Sequence, residues 1–183
     1  TIGIKEGIIV GVTLSLGFLI FRSTRPHIAE CARIEGTDYF KNVERFDNTK
    51  GRKDLLILRF DGQLYFANTN YFKEQLNDMI AKKGPALKLI ILNAEAINHL
   101  DSSAVYMLDT TIKELCKKEI YFAVAGAIGP VRDIIFNSGL SETIGKELMF
   151  AEVNKALECL DEDKAIDFER ICKRIALQNN SNL

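Results

Sequence analysis

Proline is scarce in this 183-residue sequence, and neither sign of charge predominates. It has only three prolines, and 27% of its residues are charged, so the chain as a whole is neither fibrous nor intrinsically disordered. Its 24 basic and 25 acidic residues leave a formal net charge of −1, which gives no general reason to expect a nucleic-acid partner. The length is sufficient for one domain of ordinary size with its own hydrophobic core, with or without an appendage.

Motifs that hold metals, nucleotides or catalytic groups are also missing. The four cysteines form no CxxC pair and have no nearby histidine at ligand spacing, so we predict no metal site. Neither a GxxxxGKS/T nor a GxGxxG motif occurs, and no Ser/His/Asp spacing is recognisable, so we expect no cofactor and no enzymatic activity. Three cysteines fall in predicted helices, where we expect buried thiols that the cytoplasm keeps reduced: Cys116, Cys159 and Cys172.

One long uncharged run is present near the start of the chain. Residues 7–21 (GIIVGVTLSLGFLIF) carry no charge, and 21 helical residues counted from Thr1 would cover about 31 Å, or one hydrocarbon core. Lys5 and Glu6 would then lie near one end, where their charged groups can reach the interface. A buried core helix is an alternative reading of so short a run, whereas a signal peptide would place its basic residues before the run.

Basic residues follow this run at once. Arg22 and Arg25 obey the positive-inside rule, so we predict a membrane helix over residues 1–21, with the rest of the chain in the cytoplasm. We expect the membrane to be the bacterial inner (plasma) membrane. Because the sequence begins with Thr1 rather than Met, we interpret it as a fragment or processed piece whose upstream part is a larger membrane domain.

The remaining residues alternate between patterns typical of strands and of helices. Strands are predicted at 54–60, 63–67, 87–92, 120–125 and 149–150, and the Asp61-Gly62 turn should join the first two in a hairpin. One helix is predicted to begin at a cap formed by Asn68 or Thr69. Others are predicted to begin at 102 or 103, at 129 with Pro130 as the first helical residue, and at 153. We divide the cytoplasmic part into a linker with a first edge strand near 39–46 (22–50), a mixed sheet covered by helices (51–160), and an amphipathic helix with a frayed tail (161–183).

The most informative stretch for function is Asp101-Ser102-Ser103, which precedes a predicted helix. Asp101 and Ser102 are good N-cap residues because their side-chain oxygens can accept hydrogen bonds from free amides at a helix start. The alternative is a phosphorylation switch. A phosphate at a helix N-terminus is favoured by the helix dipole, but it also meets the like charge of Asp101.

A second glycine-rich turn lies between a predicted strand and a predicted helix. The backbone amides of Gly126 and Gly129 could bind an anion or a nucleotide phosphate there. A tight turn that needs glycine accounts for the same residues without any ligand, and it is the more economical interpretation.

Several motifs together resemble a known family. Segments 60–68 (FDGQLYFAN), 100–104 (LDSSA), 129–133 (GPVRD) and 138–140 (SGL) resemble the cytoplasmic STAS domain of SulP-type anion transporters. Upstream, the similarity continues through 22–27 (RSTRPH), Gly36 and 42–45 (NVER), which resemble the join between that family's last membrane helix and its STAS domain. The match covers residues 2–160 in order and spacing.

This resemblance implies a fold and a parent function. The fold is an α/β mixed sheet with helices packed mainly on one face, as in anti-sigma-factor antagonists, preceded by one transmembrane helix. The parent function is secondary transport or symport of an anion such as sulfate, bicarbonate or a dicarboxylate, by a homodimer in the lipid bilayer. In that family the anion lies between half-helix N-termini at the membrane midplane, so the transport site is expected upstream of this chain.

The resemblance also bears on the serine motif. Soluble relatives are phosphorylated on the serine directly after the Asp, which corresponds to Ser102, although this chain has Ala104 where those proteins usually have Gly. A second possibility is therefore a membrane-tethered switch module that binds a cytoplasmic regulatory protein or kinase.

Overall fold

The N-terminal helix lies outside the core. The computed structural model describes residues 3–43, 45–46 and 49–161, and its first helix, α1, spans Ile4–Thr24. None of its residues is buried, and it is long and apolar enough by length and composition to cross a membrane. The predicted apolar helix is therefore present, and the alternative of a buried core helix is wrong.

The domain after α1 is built on one mixed sheet. Its strands are β1 His27–Ile34, β2 Phe40–Asn42, β3 Thr49–Lys50, β4 Leu55–Asp61, β5 Leu89–Asn93, β6 Tyr121–Ala125 and β7 Met149–Phe150. The order across the sheet is β2-β1-β4-β5-β6-β7, and β3 pairs with β1. Strand β1 is antiparallel to β2, β3 and β4, whereas β4 to β7 are parallel.

The helices of the domain pack mainly on one face of the sheet. The parallel strands are connected by α2 Thr69–Lys83, α3 Ser102–Cys116, α4 Gly129–Asn137 and α5 Leu140–Ile144, and α6 Val153–Asp161 follows β7. Helices α2 and α3 contact each other, as do α3 and α5, and Phe60 of β4 meets Phe72 of α2 edge to face at 5.5 Å. Leu157 of α6 lines a small groove together with Leu55 and Ile57 of β4. Because successive side chains of a strand point to opposite faces, Leu55 and Ile57 lie on the face of the sheet opposite to Phe60. Helix α6 therefore covers the opposite face.

Strands β4 to β6 form the centre of the core. All five residues of β5 are buried, and so are four of the five residues of β6. A parallel strand that is covered on both faces needs apolar residues at successive positions, which explains the nearly continuous run LKLIIL at 87–92.

The segment 22–50 differs from the expected linker. It contains β1, which lies inside the sheet between β2 and β4, and the edge strand β2 is shorter than the predicted 39–46. The burial of β1 alternates imperfectly, and Glu30 and Arg33 give it a polar appearance in the sequence. That mixed pattern explains why the strand was missed.

The predicted hairpin between 54–60 and 63–67 is wrong. Strand β1 pairs with β4 over five residue pairs, so the antiparallel partner of β4 comes from 30 residues upstream. Residues 63–67 turn away from the sheet, and only Leu64 makes a bridge, to Leu100. The Asp61-Gly62 signal marks a turn that leads into a loop rather than into a second strand.

The cysteines also differ from expectation. Cys116 is disulfide-bonded rather than a reduced thiol, whereas Cys31 and Cys159 are free cysteines. Cys31 lies buried in β1, and Cys159 is half-buried on α6 rather than fully buried. Cys172 and the predicted amphipathic helix at 161–183 lie outside the described residues, except for Asp161 at the end of α6.

Truncation of Phe72 tests the packing of α2 on the sheet. Phe72 is fully buried, so we expect Phe72→Ala to lower the free energy of unfolding by about 3–5 kcal/mol. Tyr39→Ala is the control because Tyr39 is 71% exposed and should change stability by less than about 0.5 kcal/mol. Urea unfolding of the whole chain in detergent, followed by circular dichroism, measures both values, and equal effects would contradict the packing described.

Candidate functional site

Asp101 joins the start of α3 to a neighbouring loop. It is the N-cap residue of α3 in an extended conformation, and its Oδ1 accepts a hydrogen bond from the Ala104 amide at 2.8 Å. Its Oδ2 accepts a second hydrogen bond from the Phe66 amide, also at 2.8 Å. One carboxylate therefore satisfies a free amide at the helix start and an amide 35 positions earlier in the chain.

Ser102 and Ser103 lie on the surface at the first turn of α3, and both are exposed. Ser102 borders a groove of about 600 Å³ between α3 and the α4–α5 region, which Val105, Ile134 and Leu140 also line. Both serines border a second groove of about 460 Å³ between α2 and α3. The serine motif therefore lies on a ridge between two grooves, where a kinase or a binding partner could reach it.

Residues 62–68 form a loop between the serine motif and α1, and we call it the 62–68 loop. The buried Asn68 side chain holds it, since Oδ1 accepts from the Tyr65 amide at 2.9 Å and Nδ2 donates to the Gln63 carbonyl at 2.9 Å. Asn68 precedes α2 but makes no side-chain capping bond to it. The residue predicted as a possible helix cap therefore stabilises the loop instead.

The same loop contacts the last turn of α1 and the residues that follow it. The Tyr65 hydroxyl and Ser23 Oγ are 2.7 Å apart, a hydrogen-bond distance. A Cβ atom at Gly62 would come within 3.3 Å of Pro26, so the loop backbone passes close to the chain as it leaves α1. Hydrogen bonds thus connect Asp101 to Phe66 and Tyr65 to Ser23, through one short loop.

A charged cluster lies at the end of the sheet nearest α1. His27 Nδ1 is 3.0 Å from Asp61 Oδ2, and Arg59 Nη2 donates a hydrogen bond to the same oxygen at 3.0 Å. The hydrogen bond to Asp61 raises the pKa of Arg59, which stays charged. Burial raises the pKa of the Cys31 thiol on the same face, so this cysteine is a protonated, packed side chain rather than a reactive thiolate.

Gly126 and Gly129 line neither of the two grooves beside the serine motif. Gly126 has a φ of +71°, and its amide donates to the Phe150 carbonyl at 3.1 Å. That amide is therefore occupied by strand β7, and the residue serves the turn. Gly129 is exposed at the start of α4, and its role in binding an anion stays a prediction.

Sequence reasoning found Asp101, Ser102 and Ser103 but missed the loop that Asp101 holds. The missed residues are Tyr65, Phe66 and Ser23. One signal in the sequence was available. Tyr65 and Phe66 are adjacent in the predicted strand 63–67, so their side chains would point to opposite faces and one of the two aromatic rings would be left outside the core. Within residues 3–43, 45–46 and 49–161, no three His, Cys, Asp or Glu side chains are grouped so that they could hold a metal ion.

Comparisons with known proteins place this geometry in a family. A family model described as the STAS domain matches residues 47–156. Sulfate transporter 4.1, chloroplastic, from Arabidopsis thaliana is 33% identical over 185 residues, which cover 92% of this chain and 27% of that protein. The chain thus spans about a quarter of the length of that curated relative.

Solved structures share the fold. The murine Slc26a9 anion transporter in the inward-facing state matches with a TM-score of 0.76 and 19% identity over 86% of this chain and 26% of that chain. The unphosphorylated anti-sigma factor antagonist SpoIIAA matches with a TM-score of 0.50 and 20% identity over 62% of this chain and 93% of that chain.

These findings confirm the fold predicted from the sequence. It is a mixed sheet like that of the anti-sigma-factor antagonists, preceded by an apolar helix. They also confirm the resemblance carried by 60–68, 100–104 and 129–133, which lie within the matched residues. The chain therefore belongs to the STAS-domain family, and its relatives include sulfate transporters.

Proposed function

We propose that this chain is the C-terminal part of a SulP-type secondary anion transporter. The observation that carries the proposal is the connection of an exposed, membrane-length helix to the first strand of a STAS domain through only Arg25 and Pro26. In this proposal α1 is the last membrane helix, and an upstream membrane domain of the same protein holds the transport site. The relative from Arabidopsis is described as a sulfate transporter, which favours sulfate over bicarbonate or a dicarboxylate as the anion.

The STAS domain regulates or assembles the transporter and takes no part in anion binding. We assign the domain no enzymatic step. The working unit is a homodimer, which takes up the anion by symport. Arg22 lies in the last turn of α1 and Arg25 follows it, and basic residues at one end of a membrane helix favour the cytoplasm for that end. The bacterial inner membrane stays a prediction, and the relative named above is a plant protein described as chloroplastic.

Uptake by reconstituted vesicles tests this proposal. The protein encoded by the full reading frame should take up radiolabelled sulfate, and unlabelled sulfate should compete better than bicarbonate or a dicarboxylate. Deletion of everything after Pro26 should lower uptake several-fold, with loss of the dimer if the domain assembles the transporter. A cut at residue 50 is less informative because it leaves β1 without its partner β4. Absence of anion uptake by the complete protein would contradict the proposal.

A second function, a membrane-tethered phosphorylation switch, is favoured by the exposure of the serine motif. Ser102 and Ser103 are accessible at the N-terminus of a 15-residue helix, whose dipole stabilises negative charge. A phosphate on Ser102 would lie beside the Asp101 carboxylate, and their repulsion would weaken the bond from Asp101 to the Phe66 amide. The phosphate would thus alter the contact between the domain and the 62–68 loop.

Mass spectrometry can detect such a switch. After incubation of the whole chain with cell lysate and ATP, we expect one phosphate in the peptide that holds Asp101 to Ser103, located on Ser102. Ser102→Ala should abolish the label, whereas the neighbouring Ser103→Ala should retain it. An unlabelled peptide, under conditions that modify a soluble antagonist, would count against the switch.

Replacement of Asp101 tests its double role in the structure. Asp101→Ala removes the N-cap bond of α3 and the bond to the loop, so we expect the free energy of unfolding to fall by about 2–3 kcal/mol. Amide hydrogen exchange should also quicken at Phe66 and Ala104. Asp133→Ala, an exposed acidic residue on α4, is the control and should change stability by less than about 0.5 kcal/mol. Unchanged exchange at Phe66 would contradict the loop contact.

A further inference from the structure

The 62–68 loop presents an aromatic side chain that the domain does not cover. Phe66 is 70% exposed, and its ring meets Tyr65 edge to face at 5.3 Å. The loop cannot easily turn Phe66 inward because its amide is bound to Asp101 and the preceding residue is bound to Asn68. The backbone that carries the exposed ring is therefore fixed by hydrogen bonds at the amides of Tyr65 and Phe66.

This aromatic pair lies beside the end of the membrane helix. Helix α1 has 21 residues, which span about 31 Å, the thickness of a bilayer hydrocarbon core. Its last turn should therefore lie where the hydrocarbon gives way to the headgroups. Ser23 belongs to that turn, and its hydroxyl is 2.7 Å from the Tyr65 hydroxyl, so Tyr65 and the adjacent Phe66 are at the level of the headgroups.

Charge at the same level matches the phospholipid headgroups. Arg22 and Arg25 are exposed at the end of α1, and the guanidinium of Arg25 lies 5.3 Å from the centre of the Phe21 ring. Basic residues at the cytoplasmic end of a membrane helix attract anionic phospholipids, and aromatic residues are enriched at this depth. Two aromatic rings and two guanidinium groups thus lie at the level of the end of α1, where a bilayer surface would meet them.

We propose that Tyr65, Phe66, Arg22 and Arg25 form a surface that binds the anionic headgroup layer of the bilayer that α1 crosses. The inference rests on the proposed membrane-spanning role of α1. Phe66 enters the boundary between headgroups and acyl chains, and the two arginines pair with lipid phosphates. The lipid contact thereby fixes the 62–68 loop, and through Asp101 it fixes the orientation of α3 relative to the membrane.

Tryptophan fluorescence tests this contact because the sequence contains no tryptophan. The 183-residue chain with Phe66→Trp is inserted through α1 into vesicles of phosphatidylcholine and phosphatidylglycerol, with or without brominated acyl chains. The matched control is Tyr39→Trp, since Tyr39 is equally exposed, at 71%. Its carbonyl accepts from the amide of Ile34, the last residue of β1. The eight residues of β1 place that end of the strand about 24 Å from the end that joins α1.

We expect brominated lipid to quench Phe66→Trp at least about twofold more strongly than Tyr39→Trp, with a blue-shifted emission for Phe66→Trp alone. Quenching should decrease in phosphatidylcholine alone and in the Phe66→Trp chain that also carries Arg22→Gln and Arg25→Gln. Circular dichroism confirms that each variant is folded.

Three results would overturn the inference. Equal quenching of Phe66→Trp and Tyr39→Trp, in chains that float with the vesicles, would refute the lipid contact and leave the role of α1 intact. A blue shift without quenching by bromine would assign Phe66 to a protein contact, either a second copy or the rest of the transporter. Failure of the chain to float with the vesicles would refute the membrane-spanning role of α1 and this inference together.

Discussion

The two hydrogen bonds of the Asp101 carboxylate connect parts of the molecule that the sheet alone does not hold together. One bond starts α3, and the other fixes the 62–68 loop at the Phe66 amide. The loop in turn meets Ser23 at the end of α1. Because the charge on Asp101 strengthens both bonds, any group that competes for this carboxylate or repels it acts on the helix and on the loop at once. Ser102 and Ser103 directly follow Asp101 in the chain. A change at these serines can therefore act on the loop through the Asp101 carboxylate, without a direct contact.

This arrangement separates two kinds of stability in the domain. The core of β4 to β6 is apolar, buried and covered by helices, so it resists local opening. The 62–68 loop is anchored in that core by Leu64, which is fully buried, whereas the exposed Phe66 next to Tyr65 has few apolar neighbours. The backbone at these two aromatic residues is held by polar contacts from Asn68 and Asp101. Loss of those polar contacts can therefore alter the aromatic part of the loop while Leu64 and the sheet stay packed.

Sequence patterns predicted those parts of the fold whose causes are local. The apolar runs of β5 and β6, the cap at Asp101 and the proline at the start of α4 each depend on neighbouring residues, and the structure has all of them. The prediction of a hairpin between 54–60 and 63–67 was wrong because strand pairing is not local. Strand β1 occupies the edge of β4 with which residues 63–67 would have paired. The bond from Asp101 to Phe66 spans 35 residues, and no spacing rule could have predicted it. The candidate site was thus found through its cap, whereas its partner loop was not.

The position of β1 determines how α1 and the domain affect one another. A chain that leaves a membrane through an edge strand could move with little effect on the rest of a sheet. Here Pro26 is followed at once by β1, which is paired to β2 on one side and to β4 on the other. A tilt of α1 would therefore act on the inside of the sheet rather than on its edge. The contact of Tyr65 with Ser23 adds a second attachment on the same turn of α1, so the domain is held at two points and its rotation about the chain is restricted. Two attachments are what a domain needs if its orientation, and not merely its presence, is to influence the helix that leads into it.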